Sequence, residues 1–499
     1  MCGGLSSVVS YTQLVPTREQ AVVTLTRIRN ARWVIAWNDA ESRHEYRTDI
    51  DVVFDDAAIV WIGADYLGDV DVDIDGSDRL VMPGLINVHC HPSSEPLKKG
   101  FREEFGNPQM HMSPLYDRAF MLQTDAAGSC VGLQYALAEL LKSGVTSVVD
   151  LSFPYEGWLE TMAASGIRAW MVPSFASSQW STTNGHSVDY TWDEARGHQL
   201  LNQAIDVATD AENHVSGRIS AMLGPAQIDT CTEDLLMDTL AAARDHGWKL
   251  HTHASQSLVE FYEMTRRHGM TPVQWADQIG LLGPDCILAH AMFIDEHSFT
   301  HWPGKHDRAL LADTGTGVAH CPGVFARNGQ ALEDLGGYVR SGVRLGIGTD
   351  SFPHNMIEEM RTAAILGRVV TGDVTSVSTA EVFHAATIGG ADLVGRSDLG
   401  RLEVGATADV VIVDLSHPAM MPIRDPLRSL IYTAADRAVR DVYIGGRHVV
   451  VDGEVATIDV PAISARLQVV RDEAERTASS HHYAGLSAAE VAPLSLPSP

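Results

Sequence analysis

Several features that would define a class of protein are scarce or missing in this chain. Only 6 of the 499 residues are cysteine, scattered without a Cys-x-x-Cys pair, which argues against a disulfide-stabilised scaffold. No apolar run reaches the ~18 residues that a membrane span needs, and the first residues have no charged segment followed by an apolar one. We therefore expect a cytoplasmic protein with reduced thiols and neither an export signal nor a membrane partner.

Basic side chains are also few. The chain has 36 Lys and Arg against 64 Asp and Glu, and the net charge of −28 disfavours nucleic acid as a partner. Apolar residues, by contrast, make up 45% of the chain, and the length exceeds the usual size of one compact domain. A barrel enzyme with a smaller attached domain fits these numbers. We also expect a small-molecule substrate and a homo-oligomer.

Short runs of alternating apolar and polar residues occur in two blocks, at 21–75 and at 408–453. This alternation is typical of strands with one buried face. Because the blocks flank a long central region, the sequence predicts a small β-sandwich built from both ends of the chain. We divide the chain into an N-terminal extension with part of the sandwich (1–82), the central region (83–398), the rest of the sandwich (399–460), and a C-terminal helix with a loose tail (461–499). An amphipathic stretch in the last part predicts a docked helix or an oligomer contact.

The central region alternates short apolar strands with helical stretches. Eight strands are predicted, at 80–91, 145–150, 167–173, 219–224, 249–253, 286–290, 317–321 and 344–350. Such repeats match an α/β fold of the TIM-type (β/α)8 barrel, whose catalytic residues cluster at the C-terminal ends of the strands. An open doubly wound sheet is the alternative, but no Gly-x-Gly-x-x-Gly follows the first strand and no Walker loop occurs. The sequence therefore favours the barrel.

Side chains that bind metals recur at the predicted strand ends. The first strand ends in His89 and His91, which share one face because successive residues of a strand point to opposite sides. The fifth strand ends in His253, the sixth in His290 and the eighth in Asp350. Imidazoles and a carboxylate at one rim suit a divalent ion such as zinc, with a position left open for water. Each residue alone has an ordinary structural explanation, but five at one rim predict a metal site.

The order of these motifs resembles the amidohydrolase superfamily, and within it the branch of cytosine deaminases and of phenylurea, molinate and triazine hydrolases. The matching segments are 82–91, 251–256, 288–291, 319–322, 346–350 and 405–414. The resemblance implies that His89, His91, His253 and Asp350 hold the metal, and that His290 lies beside the water or the substrate.

The resemblance also implies the number of metal ions. His251 shares a face of the fifth strand with the implied ligand but lies deeper in the barrel wall, as a structural residue. The fourth strand has no lysine that could be carbamylated to bridge two ions, which resembles the mononuclear subtype. We expect one divalent ion per chain, with zinc the first choice and iron, manganese and cobalt as alternatives.

One departure from the family pattern concerns the fifth strand. Deaminases of this branch have His-x-x-Glu there, and the glutamate passes a proton to a ring nitrogen, whereas this chain has Gln256. A glutamine amide forms hydrogen bonds but cannot shuttle a proton. We therefore expect hydrolysis of an amide, urea or (thio)carbamate C–N bond by a hydroxide generated at the metal. In this reaction Asp350 acts as the base, His290 stabilises developing charge, and Gln256 holds an oxygen or an N–H group.

Two other functions stay open at this point. The first is an aminohydrolase or dechlorinase acting on a nucleobase-like or triazine heterocycle, for which the released ammonia would be diagnostic. The second is a binding protein without catalysis that keeps the barrel as a scaffold, against which the intact set of metal ligands argues. The sequence does not name the substrate.

Loops at the barrel rim supply the candidate substrate contacts. In a barrel the loops after the strands build the substrate pocket. The loop at 92–116 is long, and further polar and aromatic residues follow the seventh and eighth strands. We expect five side chains to line a mostly apolar pocket for a small molecule, although the long loop could instead pack on its own aromatic residues. They are His111, Tyr116, Phe325, Arg327 and His354.

Overall fold

The computed structural model describes residues 23–101, 106–107 and 110–497. The N-terminal extension and Cys2 lie outside these ranges. The five cysteines within them are free thiols, as the sequence predicts. Within the same ranges, no helix is both long enough and apolar enough to cross a bilayer.

The N-terminal flank folds into seven short strands. The predicted alternation is seen in β1, where Ile28 is buried and Arg29 is exposed, whereas β2, β4 and β7 are buried along most of their length. The strands are β1 (Thr26–Ala31), β2 (Trp33–Asn38), β3 (Arg43–Arg47), β4 (Ile50–Phe54), β5 (Ile59–Gly63), β6 (Val72–Asp75) and β7 (Arg79–Pro83).

The chain passes from this flank into the barrel at Gly84. A Cβ atom at this position would lie 2.1 Å from Thr146 Oγ1, so only glycine allows the close approach. Eight of the next ten strands form one parallel sheet, and β11 and β12 form a separate hairpin. The strands are β8 (Leu85–Cys90), β9 (Val145–Ser152), β10 (Arg168–Phe175), β11 (Ser178–Ser181), β12 (Asp189–Trp192), β13 (Ile219–Pro225), β14 (Lys249–Ala254), β15 (Cys286–His290), β16 (Gly317–His320) and β17 (Arg344–Ile347).

The parallel sheet curls until its first and last strands meet. Its order is β17-β16-β15-β14-β13-β10-β9-β8. The residues beyond β17 complete the ring, because the Asp350 N–H donates to the His89 carbonyl (2.9 Å) and the His91 N–H donates to the Asp350 carbonyl (3.0 Å). The predicted eight-stranded TIM-type barrel is therefore confirmed.

The sandwich is built from both flanks of the barrel, as predicted. The C-terminal flank contributes β18 (Val410–Asp414), β19 (Val439–Ile444), β20 (Arg447–Val451) and β21 (Glu454–Val455). One sheet has the order β5-β4-β1-β6 and the other β21-β20-β19-β18-β7-β2-β3. An apolar cluster lies between them and includes Ile28, Val52, Phe54, Val410 and Ile412.

Helices separate most of the barrel strands and begin at residues suited to that position. The Asp125, Asp193 and Thr232 side chains each accept a hydrogen bond from the first turn of the following helix. The helices are α1 (Ser113–Asp117), α2 (Ala126–Lys142), α3 (Trp158–Ser165), α4 (Glu194–Glu212), α5 (Glu233–His246), α6 (Leu258–His268), α7 (Pro272–Gln278), α8 (Asp307–Thr314), α9 (Pro322–Arg327), α10 (Leu335–Arg340), α11 (Met356–Thr371), α12 (Thr379–His384), α13 (Gly390–Val394), α14 (Pro426–Ser429), α15 (Val460–Thr477) and α16 (Ala488–Val491).

The C-terminal segment differs from its prediction. The amphipathic stretch is a docked helix, α15, whose Ile463 and Leu467 pack with Leu97 and Val131. The tail after it, which we expected to be loose, contains α16 and buries Ala488 and Val491. Its Ser- and Ala-rich composition does not reveal this order, because the apolar residues that cover it come from distant parts of the chain.

Candidate active site

The first two histidines of the site are fixed by neighbouring strands. His89 is the fifth residue of β8, and His91 follows the strand directly. The His91 Nδ1 atom donates to the carbonyl of Leu151 on β9 (2.6 Å), while His89 Nδ1 lies 3.3 Å from His251 Nε2. The Nε2 atoms of both histidines therefore face Asp350. Its Oδ1 atom is 3.5 Å from His89 Nε2 and 3.3 Å from His91 Nε2.

His253 and His290 complete the cluster from the fifth and sixth barrel strands. The His253 Nδ1 atom donates to the carbonyl of Ala226 (2.5 Å), so that its Nε2 lies 3.2 Å from His91 Nε2. The His290 ring centre is 5.2 Å from that of His89, and neither of its ring nitrogens has a protein hydrogen-bond partner within the described residues. The structure therefore brings all five predicted rim residues together.

At two positions on the rim the backbone has a positive φ, which residues other than glycine rarely adopt. His290 has φ +78°, and Asp350 has φ +56°. Such backbones are uncommon away from glycine and cluster at functional sites. β17 ends at Ile347, three residues before the predicted end, and Asp350 then pairs with Cys90 through an isolated parallel bridge.

The donor set fits a single divalent ion. Two groups of three side chains have donor atoms within 4.8 Å of one another: His89, His91 and His253 in one, and His89, His290 and Asp350 in the other. His89 Nε2 is buried and has no protein hydrogen-bond partner in the described part of the chain. Carbonyl acceptors behind His91 and His253 select the tautomer that leaves Nε2 free, as is usual for histidines that bind metals.

Burial keeps the imidazoles in the uncharged form that a metal requires. The pKa of His253 is lowered to about 4, mainly by desolvation and also by His91, with Asp350 opposing both effects. Desolvation also places the pKa values of His89 and His290 well below their usual range. Neutral imidazoles beside one carboxylate are hard and borderline donors of the kind that zinc binds.

A cavity of about 520 Å³ opens beside the cluster. His91, His253 and Asp350 form part of its wall, and Gln256 lies next to them. Most of the rest is apolar, with Leu97, Met112, Leu115, Leu122, Leu151, Phe153, Trp180 and Val324 among the lining residues. A mostly apolar cavity with a few polar groups at one end suits a small organic molecule.

Gln256 is held at both its backbone and its side chain. Its N–H donates to Glu260 Oε2 (2.8 Å), and its side-chain Oε1 accepts from Gln227 Nε2 (2.5 Å). Glu260 also accepts from the Ser255 N–H (2.5 Å) and is buried. The Gln256 amide is therefore fixed at the cavity wall.

The five predicted substrate contacts are not among the described residues that line this cavity. Tyr116 is buried and pairs with Ser257 (2.8 Å between hydroxyl oxygens), His111 lies 3.0 Å from Gln330, and Phe325 packs against the His290 ring. Arg327 donates to the carbonyl of Phe352 and to Ser351, and His354 is fully buried. These five side chains pack against or bond to other parts of the protein. Their contact with a substrate therefore stays a prediction.

Sequence reasoning missed residues that do line the cavity. Gln227 is the second residue after β13, so a search for polar residues just beyond the strand ends could have found it. Lys98 and Glu95 form a buried ion pair in the wall (2.6 Å), and Trp180 belongs to the β11–β12 hairpin. No pattern in the sequence indicates that these segments fold over the barrel mouth.

An eight-stranded barrel with imidazoles and a carboxylate at its C-terminal rim defines the class of metal-dependent barrel hydrolases. The amidohydrolase family model matches residues 80–449, and the chain belongs to this family. It is 32% identical over 435 residues to the 5-methylthioadenosine/S-adenosylhomocysteine deaminase of Natronomonas pharaonis, covering 84% of this chain and 91% of that protein. It is 28% identical over 426 residues to the 5'-deoxyadenosine deaminase of Methanosarcina mazei, covering 85% and 93%.

Solved structures share the fold. An adenosine deaminase from Xanthomonas campestris with bound zinc superposes with a TM-score of 0.76 at 24% identity, covering 91% of this chain and 98% of the other. A triazine hydrolase variant superposes with a TM-score of 0.76 at 25% identity, covering 90% and 99%. The protein is thus a metal-dependent amidohydrolase acting on carbon–nitrogen bonds other than peptide bonds.

Proposed function

We propose that His89, His91, His253 and Asp350 hold one divalent ion, most favourably zinc, and that the protein is an aminohydrolase of the adenosine type. Its substrate would be a heterocycle with an exocyclic amino group, which leaves as ammonia. The observation that carries this proposal is the 32% identity, over most of both chains, to a deaminase of adenine-containing molecules. It replaces our first expectation of amide, urea or carbamate hydrolysis as the favoured function.

The proposed ligand set is supported by its donor chemistry. Three of its members are imidazoles with Nε2 directed at a common centre, and the fourth is a carboxylate within 3.5 Å of two of them. Zinc accepts three protein ligands or more while keeping a position for water. The zinc in the related adenosine deaminase structure favours this ion over iron, manganese or cobalt.

Asp350 carries out the proton transfers, and His290 stabilises the charge that develops in the reaction. When bound, the ion supplies Lewis acidity that lowers the pKa of a water molecule from ~15.7 towards ~7. Asp350 accepts the proton of the attacking water and returns it to the departing amine. His290, buried and without a protein partner among the described residues, is placed to donate a hydrogen bond to the oxygen that adds to the ring.

An ammonia assay tests this proposal. Zinc-loaded protein is incubated with adenosine, 5'-deoxyadenosine, 5'-methylthioadenosine, S-adenosylhomocysteine and aminotriazines, and ammonia and the hydroxylated product are measured together. We expect both from at least one compound, and neither from an Asp350→Ala variant. Fully metal-loaded protein that releases ammonia from none of these rings would contradict the proposal.

A second candidate function is kept because of one residue. Gln256 stands where a proton-shuttling glutamate would serve deamination, and a neutral amide suits the cleavage of an amide, urea or carbamate. Release of an alkyl- or arylamine from such compounds, without ammonia from heterocycles, would favour this second function.

A further inference from the structure

The protein fixes the direction of the Gln256 side-chain amide at the cavity wall. Its side chain is 6% exposed, and that of its partner Gln227 is 7% exposed. Because Gln227 Nε2 donates to Gln256 Oε1, the Nε2 group of Gln256 is the part of that amide left to donate a hydrogen bond. Both glutamines line the cavity together with His253 and Asp350.

Gln227 is itself fixed next to a proposed metal ligand. It pairs with His253 through a parallel β-bridge, and the N–H of the following residue, Ile228, donates to the His253 carbonyl (3.0 Å). The Gln227–Gln256 pair therefore keeps a constant position relative to the end of β14. A group held in this way can act on a substrate atom without reorganisation.

Carboxylates near Gln256 are engaged elsewhere. Within the described part of the chain, the carboxylates that line the cavity are Asp350 and Glu95, and Glu95 pairs with Lys98. Glu260, four residues after Gln256, accepts two backbone N–H groups and holds the loop. Asp150 accepts from Ser152 and Trp158. Asp350 is thus the carboxylate available for proton transfer at the metal end of the cavity.

We infer that Gln256, positioned by Gln227, determines substrate specificity by donating a hydrogen bond to the ring nitrogen beside the reacting carbon. This inference rests on the proposed aminohydrolase function. A donor of this kind stabilises negative charge on the nitrogen but does not protonate it. The site therefore selects electron-poor aminoheterocycles, such as aminotriazines or purines with electron-withdrawing substituents, whose rings carry that charge most easily.

In the proposed reaction, Asp350 is the one group that carries a proton, and all atoms and charges balance. The water oxygen bonds to the ring carbon, the C=N electron pair moves to the ring nitrogen held by Gln256, and the water proton goes to Asp350. The pair then re-forms the C=N bond, the bond to the amino group breaks, and the amine leaves as ammonia with the proton from Asp350. The products are the hydroxylated ring and ammonia, and no other reactant is needed.

The test compares two substrates in the wild type and a set of variants. Adenosine and its 2-chloro derivative, or an amino- and a chloro-substituted aminotriazine, are assayed with the wild type, Gln256→Glu, Gln256→Leu and Gln227→Leu. Gln199→Glu, on the exposed surface of α4, is the matched control for adding a carboxylate. Metal content and affinity for the hydroxylated product are measured alongside the rates.

We expect kcat/KM of the wild type to be about 10-fold or more higher for the electron-poor ring. An effect of this size is expected from one positioned hydrogen-bond donor. Gln256→Leu should lower the rate and product affinity with full metal content. Gln256→Glu should reduce the preference, and its rate should fall as pH rises, because only the protonated glutamate donates. Gln227→Leu, which removes the positioning residue, should lower kcat more than it raises KM, and Gln227→Asn should restore part of the rate.

Two outcomes would overturn the inference while leaving the proposed function standing. One is ammonia release at equal rates from electron-rich and electron-poor rings. The other is a Gln256→Leu variant with unchanged rates and product affinity. The absence of ammonia from every ring would instead remove the proposed function on which the inference rests.

Discussion

At the scale of single residues, the site depends on which nitrogen of each histidine carries the proton. The carbonyls of Leu151 and Ala226 accept from the Nδ1 atoms of His91 and His253, which leaves Nε2 to face Asp350 and the other histidine. Two backbone carbonyls, each at or next to the end of a barrel strand, thereby set the donor atoms. The proposed metal site is therefore built from barrel strands and the residues that follow them.

The first prediction concerns these ligands. His253→Ala and Asp350→Ala should each reduce the content of divalent metal from about one ion per chain to well below that, because losing a ligand costs more than the ~10 to 100-fold penalty of losing a group behind it. His198→Ala, on the surface of α4 and paired with Asp238, serves as the control and should keep its metal. Metal analysis of the purified variants measures the content of divalent metal per chain and tests this prediction. A His253→Ala variant with full metal content would contradict the ligand assignment.

Several of these residues could be predicted from the sequence, and others could not. His89, His91, His253 and His290 lie at or next to the ends of strands whose apolar runs are easily recognised. The substrate contacts could not be predicted, because the paths of the loops over the barrel mouth depend on packing between distant segments. Gln227 is an intermediate case, since the strand before it was predicted but its position next to His253 depends on sheet register.

At the scale of secondary-structure elements, one buried ion pair joins the barrel to the sandwich. Arg168, at the start of β10, pairs with Asp409, which precedes β18, and the side chains are 9% and 3% exposed. Asp409 also accepts from the Gly445 N–H (2.8 Å). This buried ion pair holds the barrel and the sandwich in register, because separating the two charges would leave each of them buried without a partner.

The second prediction follows from this ion pair. Arg168→Met should lower the free energy of unfolding by about 3–5 kcal/mol, because it leaves the Asp409 carboxylate buried without its partner. The double variant Arg168→Met/Asp409→Leu should recover a large part of that loss. Chemical denaturation measures both. A single variant as stable as the wild type would show that the ion pair does not hold the junction.

The C-terminal segment supports the loop that forms one wall of the cavity. Ala488 and Val491 of α16 pack with Phe101, Met121 and Leu122, and Leu122 lines the cavity. Arg471 of α15 donates to backbone carbonyls in the same loop, including that of Lys99 (3.2 Å). The described residues from α15 to α16 therefore have a structural role in the cavity that their composition does not suggest.

The third prediction tests this support. Val491→Asp should raise KM several-fold with little change in metal content, because a charge in this apolar cluster should displace the loop but leave the barrel rim intact. Leu494→Asp is the matched control, since Leu494 is 78% exposed. Steady-state kinetics and metal analysis give the comparison. Equal KM values in the two variants would show that the tail does not shape the cavity.

The elements of the barrel were largely predictable, because their strands are continuous apolar runs ending in polar residues. The sixth strand, Cys286–His290, has the predicted bounds. The first predicted strand, 80–91, is wrong as a single strand, because it divides at Gly84 into β7 of the sandwich and β8 of the barrel, and the remaining strands differ by a few residues at their ends. The order of the sandwich strands was not predictable. The sequence does not indicate that β7 lies between β18 and β2, since such pairings are set by contacts between the two ends of the chain.

At the scale of the whole molecule, the metal should stabilise the fold as well as serve the reaction. Its proposed ligands come from the first, fifth and eighth barrel strands or the residues after them, so one ion would tie together the seam where the barrel closes. A ligand that binds only the folded chain adds stability, by about 2.7 kcal/mol at one hundred times its Kd. The expected homo-oligomer stays a prediction, which light scattering on the purified protein can decide.

The fourth prediction concerns this stabilisation. Zinc added to metal-stripped protein should raise Tm, and a chelator should reverse the change. Asp350→Ala, measured in the same way, should show a much smaller rise. An identical rise in the wild type and in this variant would place the stabilising zinc outside the proposed site.

The most direct test of the central claim, that this amidohydrolase replaces a ring amino group by hydroxyl, is a single product analysis in water labelled with heavy oxygen. Zinc-loaded protein is given an aminopurine nucleoside or an aminotriazine, and the product is examined by mass spectrometry. We predict ammonia and a hydroxylated ring that carries one labelled oxygen at the carbon that lost nitrogen. An unchanged heterocycle, with amine released only from ureas, amides or carbamates, would contradict the account.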